Sequence, residues 1–172
     1  MNVFLVGPMG SGKSAVGRQL AQRLALEFID SDAEIEARTG VDIAYIFERE
    51  GEAGFRSREA EVIDAISRRD RVLVSTGGGA VLDAGTRERL RTRGRVVYLR
   101  TSVDQQLART RRSNDRPLLN NDDPRGTLER LFEQRAPLYA EVAEIVVDTD
   151  GRKVKAVVDQ ICHQLGIDGV EP

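Results

Sequence analysis

Apolar residues along this chain fall into two alternating rhythms. Short, nearly unbroken apolar or β-branched runs at residues 3–6, 27–30, 72–75, 96–99 and 145–147 read as strands. Between them, apolar positions recur at three- and four-residue spacing, as in Val16, Leu20 and Leu24. Phe55, Val62, Ile63 and Ile66 form a second such stripe, with Glu59 on it, and Val154, Val157, Val158, Ile161, Cys162 and Leu165 form a third. Unbroken strands separated by amphipathic helices predict an α/β fold: a parallel five-stranded sheet covered on both faces, which is a three-layer α/β/α sandwich. One stretch escapes both rhythms. Residues 112–125, RSNDRPLLNNDDPR, are dominated by Asn, Asp and Pro and predict a long loop, here a lid over a site. The spacing then predicts a helix over 126–142 with Leu128, Leu131 and Phe132 on one side, kinked or interrupted at Pro137.

Composition narrows the class of protein. A chain of 172 residues with 40% hydrophobic content suits one domain, 1–172, that buries a core without metal or disulfide staples. The 26 basic and 28 acidic residues nearly cancel, leaving a net charge of −2 and no electrostatic ground for a nucleic-acid partner. Cys162 is the single cysteine and lies on an apolar stripe, so a small core residue in a reducing compartment is expected. His163, the single histidine, falls off that stripe and should be solvated. No run has the ~20 apolar residues that span a bilayer, and the first residues lead straight into a core strand, so a cytoplasmic protein with no membrane partner is expected.

Chemistry concentrates at strand ends. Between the first strand and the first helix stands Gly7-Pro8-Met9-Gly10-Ser11-Gly12-Lys13-Ser14, the G-x-x-x-x-G-K-[ST] pattern of a phosphate-binding P-loop. Its backbone amides, from Gly10, Ser11 and Gly12 to Lys13, Ser14 and Ala15, would cradle a nucleotide triphosphate at a helix N-terminus. Lys13 would reach the β- and γ-phosphates, and the Ser14 hydroxyl would ligate Mg²⁺. Asp30-Ser31-Asp32 closes the second strand, where a carboxylate pair would face the P-loop and serve the metal shell or an attacking hydroxyl. Asp32 is equally placed to cap the following helix. Arg56 follows Gly51 and Gly54 in an opening helical turn, against the helix dipole, and can pair with Glu52 or Glu59. Thr76-Gly77-Gly78-Gly79 follows the third strand with more glycine than a plain turn needs, which favours close backbone approach to a ligand. Arg109, Arg111, Arg112 and Arg116 crowd the lid-like loop, and Arg135 lies in the helix beyond. Arg87, Arg89, Arg91, Arg93 and Arg95 point around a helix and its exit and read as solvated surface. No H-R-D or D-F-G signature of a protein kinase is present. A small-molecule kinase is the reading, with an acceptor that carries a hydroxyl and an anionic group matched to arginine forks.

The motifs GPMGSGKS, FIDSD, GFRSRE, TGGGA, RPLL and RAPLY, in that order, resemble those of the shikimate kinase family over essentially the whole chain. That resemblance implies a fold like the nucleoside monophosphate kinases, with strand order 2-3-1-4-5 and a closing lid. It implies transfer of the γ-phosphoryl group of ATP to the 3-hydroxyl of shikimate, giving shikimate 3-phosphate and ADP on the way to chorismate and the aromatic amino acids. By the same resemblance Asp32 holds the acceptor hydroxyl, and Asp30 serves Mg²⁺ through water. Arg56 and Arg135 clamp the shikimate carboxylate beside Gly77, Gly78 and Gly79. Arg116 is the lid arginine on the phosphates, while Arg109 and Arg152 flank the adenine. A monomer is expected. Rival readings are another metabolite kinase, such as a gluconate kinase, and a nucleotide-gated binding module.

Overall fold

The computed structural model describes residues 1–110 and 121–168. Its strands are β1 (Val3–Val6), β2 (Glu27–Asp30), β3 (Val72–Ser75), β4 (Arg95–Arg100) and β5 (Ile145–Asp148). Its helices are α1 (Lys13–Leu24), α2 (Ser31–Thr39), α3 (Ile43–Ser67), α4 (Ala84–Arg93), α5 (Val103–Thr110), α6 (Pro124–Val142) and α7 (Val154–Gln164). A short 3₁₀ turn, Ala80–Leu82, links β3 to α4. All pairings are parallel and the sheet runs β2-β3-β1-β4-β5, the order the resemblance implied.

Strand alternation divides the core in two. Phe4, Val6, Val72, Val74, Val96 and Tyr98 face α3, α4 and α6, while Val3, Leu5, Leu73, Val97 and Leu99 face α1 and α7. Central strands buried on both faces explain why their apolar runs are unbroken. At the edge, β5 alternates, with Val146 exposed. Cys162 is buried in the second cluster and burial pushes its thiol pKa up, as a core residue requires. His163 sits on the surface beside Asp168. Among the described residues no helix is long and apolar enough to cross a membrane.

The structure corrects the sequence reading at several places. β2 stops at Asp30 and α2 begins at once, so Asp32 projects from a helical turn, not from an extension of the strand. The cap is Asp30 instead: its Oδ1 accepts from the backbone N–H groups of Asp32 (2.9 Å) and Ala33 (3.1 Å). α6 starts two residues early, because Asp123 caps it and Pro124 occupies its first turn, where a missing N–H costs nothing. Residues 124 and 125 therefore belong to a helix and not to the loop expected there. Pro137 lies inside α6 without ending it. The arginines of α4 are also more than solvated surface: Arg93 donates to Asp64 (2.8 Å) and Ser67 (2.7 Å) of α3, and Arg87 to the Val81 carbonyl (2.7 Å). Long side chains can tie helices together while their stems cover apolar surface.

Candidate active site

The P-loop forms because its glycines take conformations that side chains resist. Gly10 and Gly12 have φ of 76° and 87°, and Gly12 caps α1 in the left-handed region. The chain then enters α1 with its first-turn amides directed out of the helix end, the ready-made site for phosphate oxygens. Lys13 lies along this loop, its Nζ donating to the carbonyls of Gly7 (2.7 Å) and Pro8 (2.8 Å) and to Ser11 Oγ (3.3 Å). Ser14 Oγ donates to Asp30 Oδ2 at 3.1 Å, which brings the P-loop hydroxyl and the β2 carboxylate together. Arg109 of α5 donates to the Gly10 carbonyl (2.9 Å), fixing that helix to the back of the loop.

Across from it, the glycines after β3 are places of close approach. A Cβ on Gly77 would lie 2.6 Å from Glu59 Oε2 and 2.9 Å from Asp32 Oδ1. One on Gly79 would meet the Arg56 guanidinium at 2.3–2.5 Å, and one on Gly78 would stand 3.5 Å from Arg135 Nη1 and 3.4 Å from the Met9 backbone nitrogen. Two carboxylates and two guanidiniums thus converge on three residues that carry no side chain. The Ser31 hydroxyl accepts from the Gly77 N–H (3.0 Å), which binds this loop to the start of α2. Arg56 donates to Glu59 (2.9 Å) and Glu52 (3.3 Å). The partners foreseen for a surface arginine are therefore both present, yet the group also faces the glycine loop. Its place in α3 differs from the expectation: Gly51 interrupts the helix, so Arg56 stands a full turn past the break and four residues after Glu52.

Charge is held here at low solvent access. Arg135 is 3% exposed, and burial, together with the neighbouring Arg56, lowers its pKa. Glu59 is 2% exposed; desolvation, which outweighs its attraction to Arg56, raises its pKa to about 7. Two arginine forks at one glycine loop form a site whose chemistry suits a carboxylate, since the planar N–H pairs match two oxygens. A cleft bordered by Met9, Gln106, Phe132, Arg135 and Tyr139 joins this side to the P-loop.

Comparison with known proteins identifies the family. The shikimate kinase family profile matches residues 9–166. A shikimate kinase of Shewanella amazonensis is 56% identical over 165 residues, 96% of each chain. The structure is similar to that of a shikimate kinase from Acinetobacter baumannii in complex with shikimate, at 45% identity and TM-score 0.94, covering 99% of this chain and 95% of the other. The chain belongs to the shikimate kinase family. It is an ATP-using kinase, and shikimate is the acceptor for which the family is named. A gluconokinase from Sinorhizobium meliloti, at 19% identity and TM-score 0.57 over 96% of this chain and 91% of the other, shares the fold.

Within this shikimate kinase fold, the residues singled out in sequence divide into three groups. Gly10, Ser11, Gly12, Lys13, Ser14 and Ala15 form the loop and first turn of α1, with Asp30 and Arg109 against them. Asp32, Arg56 and Arg135 gather around Gly77–Gly79. Arg152 stands apart: it bonds the Asp148 carbonyl (3.0 Å), Gln160 and the Ala156 carbonyl (3.3 Å) within the β5–α7 connection. That connection reaches α5 through the Ser102 N–H on Asp150 (3.0 Å). Arg111, Arg112 and Arg116 lie outside the described residues. Two members of the site were not foreseen as such. Glu59 was visible as a carboxylate on an otherwise apolar stripe and as a possible partner for Arg56, and Tyr139 as the residue one turn after Arg135.

Proposed function

We propose that this member of the shikimate kinase family transfers the γ-phosphoryl group of ATP in line to the 3-hydroxyl of shikimate, with Asp32 on the nucleophile and Arg56 and Arg135 on the acceptor carboxylate. One observation carries the reading: Asp32 and both guanidiniums close on a single glycine loop whose middle residue stands beside the Met9 backbone nitrogen of the P-loop. Phosphoryl transfer depends mostly on positioning and charge stabilisation, so a nucleotide cradle and an acceptor clamp on adjoining loops supply what the reaction needs. Lys13 would offset charge on the β- and γ-phosphates, its ammonium held in line by the Gly7 and Pro8 carbonyls. Asp32 would accept a hydrogen bond from the 3-hydroxyl and orient its oxygen towards phosphorus. Arg116, on a closing lid at about 112–123, would add a further positive charge and exclude water.

The residues present fit Mg²⁺. Ser14 and Asp30 offer a hydroxyl and a carboxylate oxygen in contact, hard donors of the kind this ion takes beside substrate phosphates. Bound there, Mg²⁺ would neutralise charge on the phosphate oxygens. Arg109 and Arg152 flank the adenine in this reading. The chain acts as a monomer in the cytoplasm, without a nucleic-acid or membrane partner, which sedimentation of the purified protein tests for the monomer.

ADP release in the presence of shikimate, against gluconate as the rival acceptor, tests the substrate; release stimulated equally by both would overturn the assignment. Asp32→Asn should lower turnover by about a hundredfold or more while ATP still binds, the scale for losing an acid–base partner. Near-normal turnover would remove Asp32 from the reaction.

A further inference from the structure

Tyr139 takes no part in the chemistry described above, yet it touches two components of the acceptor site at once. It is 2% exposed on α6, one turn after Arg135, with its ring packed on Tyr98 at a centroid distance of 5.0 Å. Its hydroxyl donates to the Gly78 carbonyl, sixty-one residues away in sequence, at 2.5 Å. The Arg135 guanidinium approaches the same loop, its Nη1 3.5 Å from where a Cβ on Gly78 would stand, and Tyr139 is the strongest favourable electrostatic influence on it. We propose that Tyr139 is a positioning residue for the acceptor, holding Arg135 and the Gly78–Gly79 peptide in one arrangement through a single buried hydroxyl. The proposal rests on the reading of Arg135 as a carboxylate clamp.

Two physical constraints carry it. An arginine side chain has many rotamers, and confining it costs entropy that substrate binding would otherwise meet. A fixed oxygen acceptor beside the guanidinium settles its plane before the substrate arrives, which is the advantage of preorganisation. The second constraint is the loop. A peptide between two glycines has little steric resistance to rotation about its flanking bonds, so its plane needs an external hold. The peptide is planar and trans, with its C=O and N–H pointing in opposite directions. Pinning the Gly78 carbonyl towards Tyr139 therefore aims the Gly79 N–H the other way, and it is at Gly79 that the Arg56 guanidinium makes its close approach. One hydroxyl thus holds the loop that both guanidiniums approach.

The discriminating variant is Tyr139→Phe, which keeps the ring against Tyr98 and deletes only the oxygen. The Michaelis constant for shikimate should rise about tenfold, the size of one buried hydrogen bond lost from preorganisation, while that for ATP stays within about twofold. Tyr98→Phe, a neighbouring buried ring in the core, should leave both constants unchanged. On an Arg135→Ala background the same change should add less than about twofold, because the two groups act as a unit. A lower melting temperature with an unchanged shikimate constant would make the hydroxyl a bond of the scaffold and overturn the proposal. So would a Tyr139→Phe protein that cannot be obtained folded, or equal loss of both substrates. If Arg135→Ala itself leaves the shikimate constant unchanged, the clamp is wrong and the proposal falls with it. If Arg135→Ala raises it and Tyr139→Phe does not, the clamp stands and only the role of Tyr139 is lost.

Discussion

The Glu59 carboxylate lies between Arg56 and the loop of glycines, with Asp32 and Arg135 also acting on it. Burial raises its pKa from the ordinary 4.5 to about 7 despite the adjoining guanidinium. A raised carboxylate pKa means that the native state binds this proton more tightly than the unfolded chain does. The associated stability is fully present below the unfolded value and is lost as pH rises through the folded one. Glu59→Gln removes the titration. The stability of the native sequence relative to this variant should accordingly decline between about pH 5 and pH 8, by on the order of 2–3 kcal/mol at most. Urea midpoints across that range check it, and a difference that stays flat would show that Glu59 does not titrate there. Gly79 makes a second case at the same scale. A methyl group there would occupy the place of the Arg56 guanidinium, the far end of a flexible chain that can swing away. Gly79→Ala should therefore raise the Michaelis constant for shikimate about as much as Arg56→Ala does, at least tenfold for a charge-assisted pair, and lower stability to the extent that the displaced guanidinium leaves the buried Glu59. An unaffected constant would mean that Arg56 holds no part of the acceptor.

Among the elements, α3 departs furthest from regularity. Gly51 has φ 72° and ψ −178°, a combination that non-glycine residues essentially never adopt, so the helix consists of two segments meeting at a break. Phe47 and Phe55 pack across it at a ring distance of 4.9 Å, and Arg58 forks onto both oxygens of Glu50 at 2.7 Å. That ion pair is exposed and contributes little by itself; the aromatic contact is the larger restraint. A Cβ at Gly51 meets nothing within 4 Å, so any cost of Gly51→Ala is backbone strain alone. We expect a loss of about 1–3 kcal/mol in denaturant unfolding, and an unchanged midpoint would show that the break relaxes into a continuous helix. The sequence marked a helix start after Gly51 and Gly54; the structure puts the break at Gly51 itself, so Arg56 stands beyond the first turn of the second segment. The β2–α2 junction shows the same limit. Both aspartates were legible there as chemistry, whereas the division of labour between a capping Asp30 and a projecting Asp32 depends on the residue at which the strand stops.

For the molecule as a whole, function follows from where β1 sits. It pairs with β3 on one side and β4 on the other, so the P-loop at its end opens between the Gly77–Gly79 loop and α5. This is the point at which the strand order reverses, the usual crevice of an open parallel sheet. Of the proposed acceptor residues, Asp32 and Arg56 come from the β2 and β3 side and Arg135 from α6, while the proposed adenine contacts come from the β4 and β5 side. Because ATP would bind the native state through Lys13 and the α1 amides, ATP–Mg²⁺ at about a hundred times its dissociation constant should stabilise the fold by about 2.7 kcal/mol. Lys13→Ala should abolish most of that gain in a thermal melt, and a full shift in the variant would place the nucleotide elsewhere.

The strands, the P-loop and the apolar stripes of the helices were legible in the sequence alone, because apolar spacing and glycine act over a few residues. What tertiary structure decided was the company each charge keeps. Glu59, Arg135 and Tyr139 meet the glycine loop only once the sheet order brings α3, α6 and the end of β3 together. Burial then sets their protonation and aim, and no short-range pattern carries burial, since it depends on segments far apart in the chain closing over the same point.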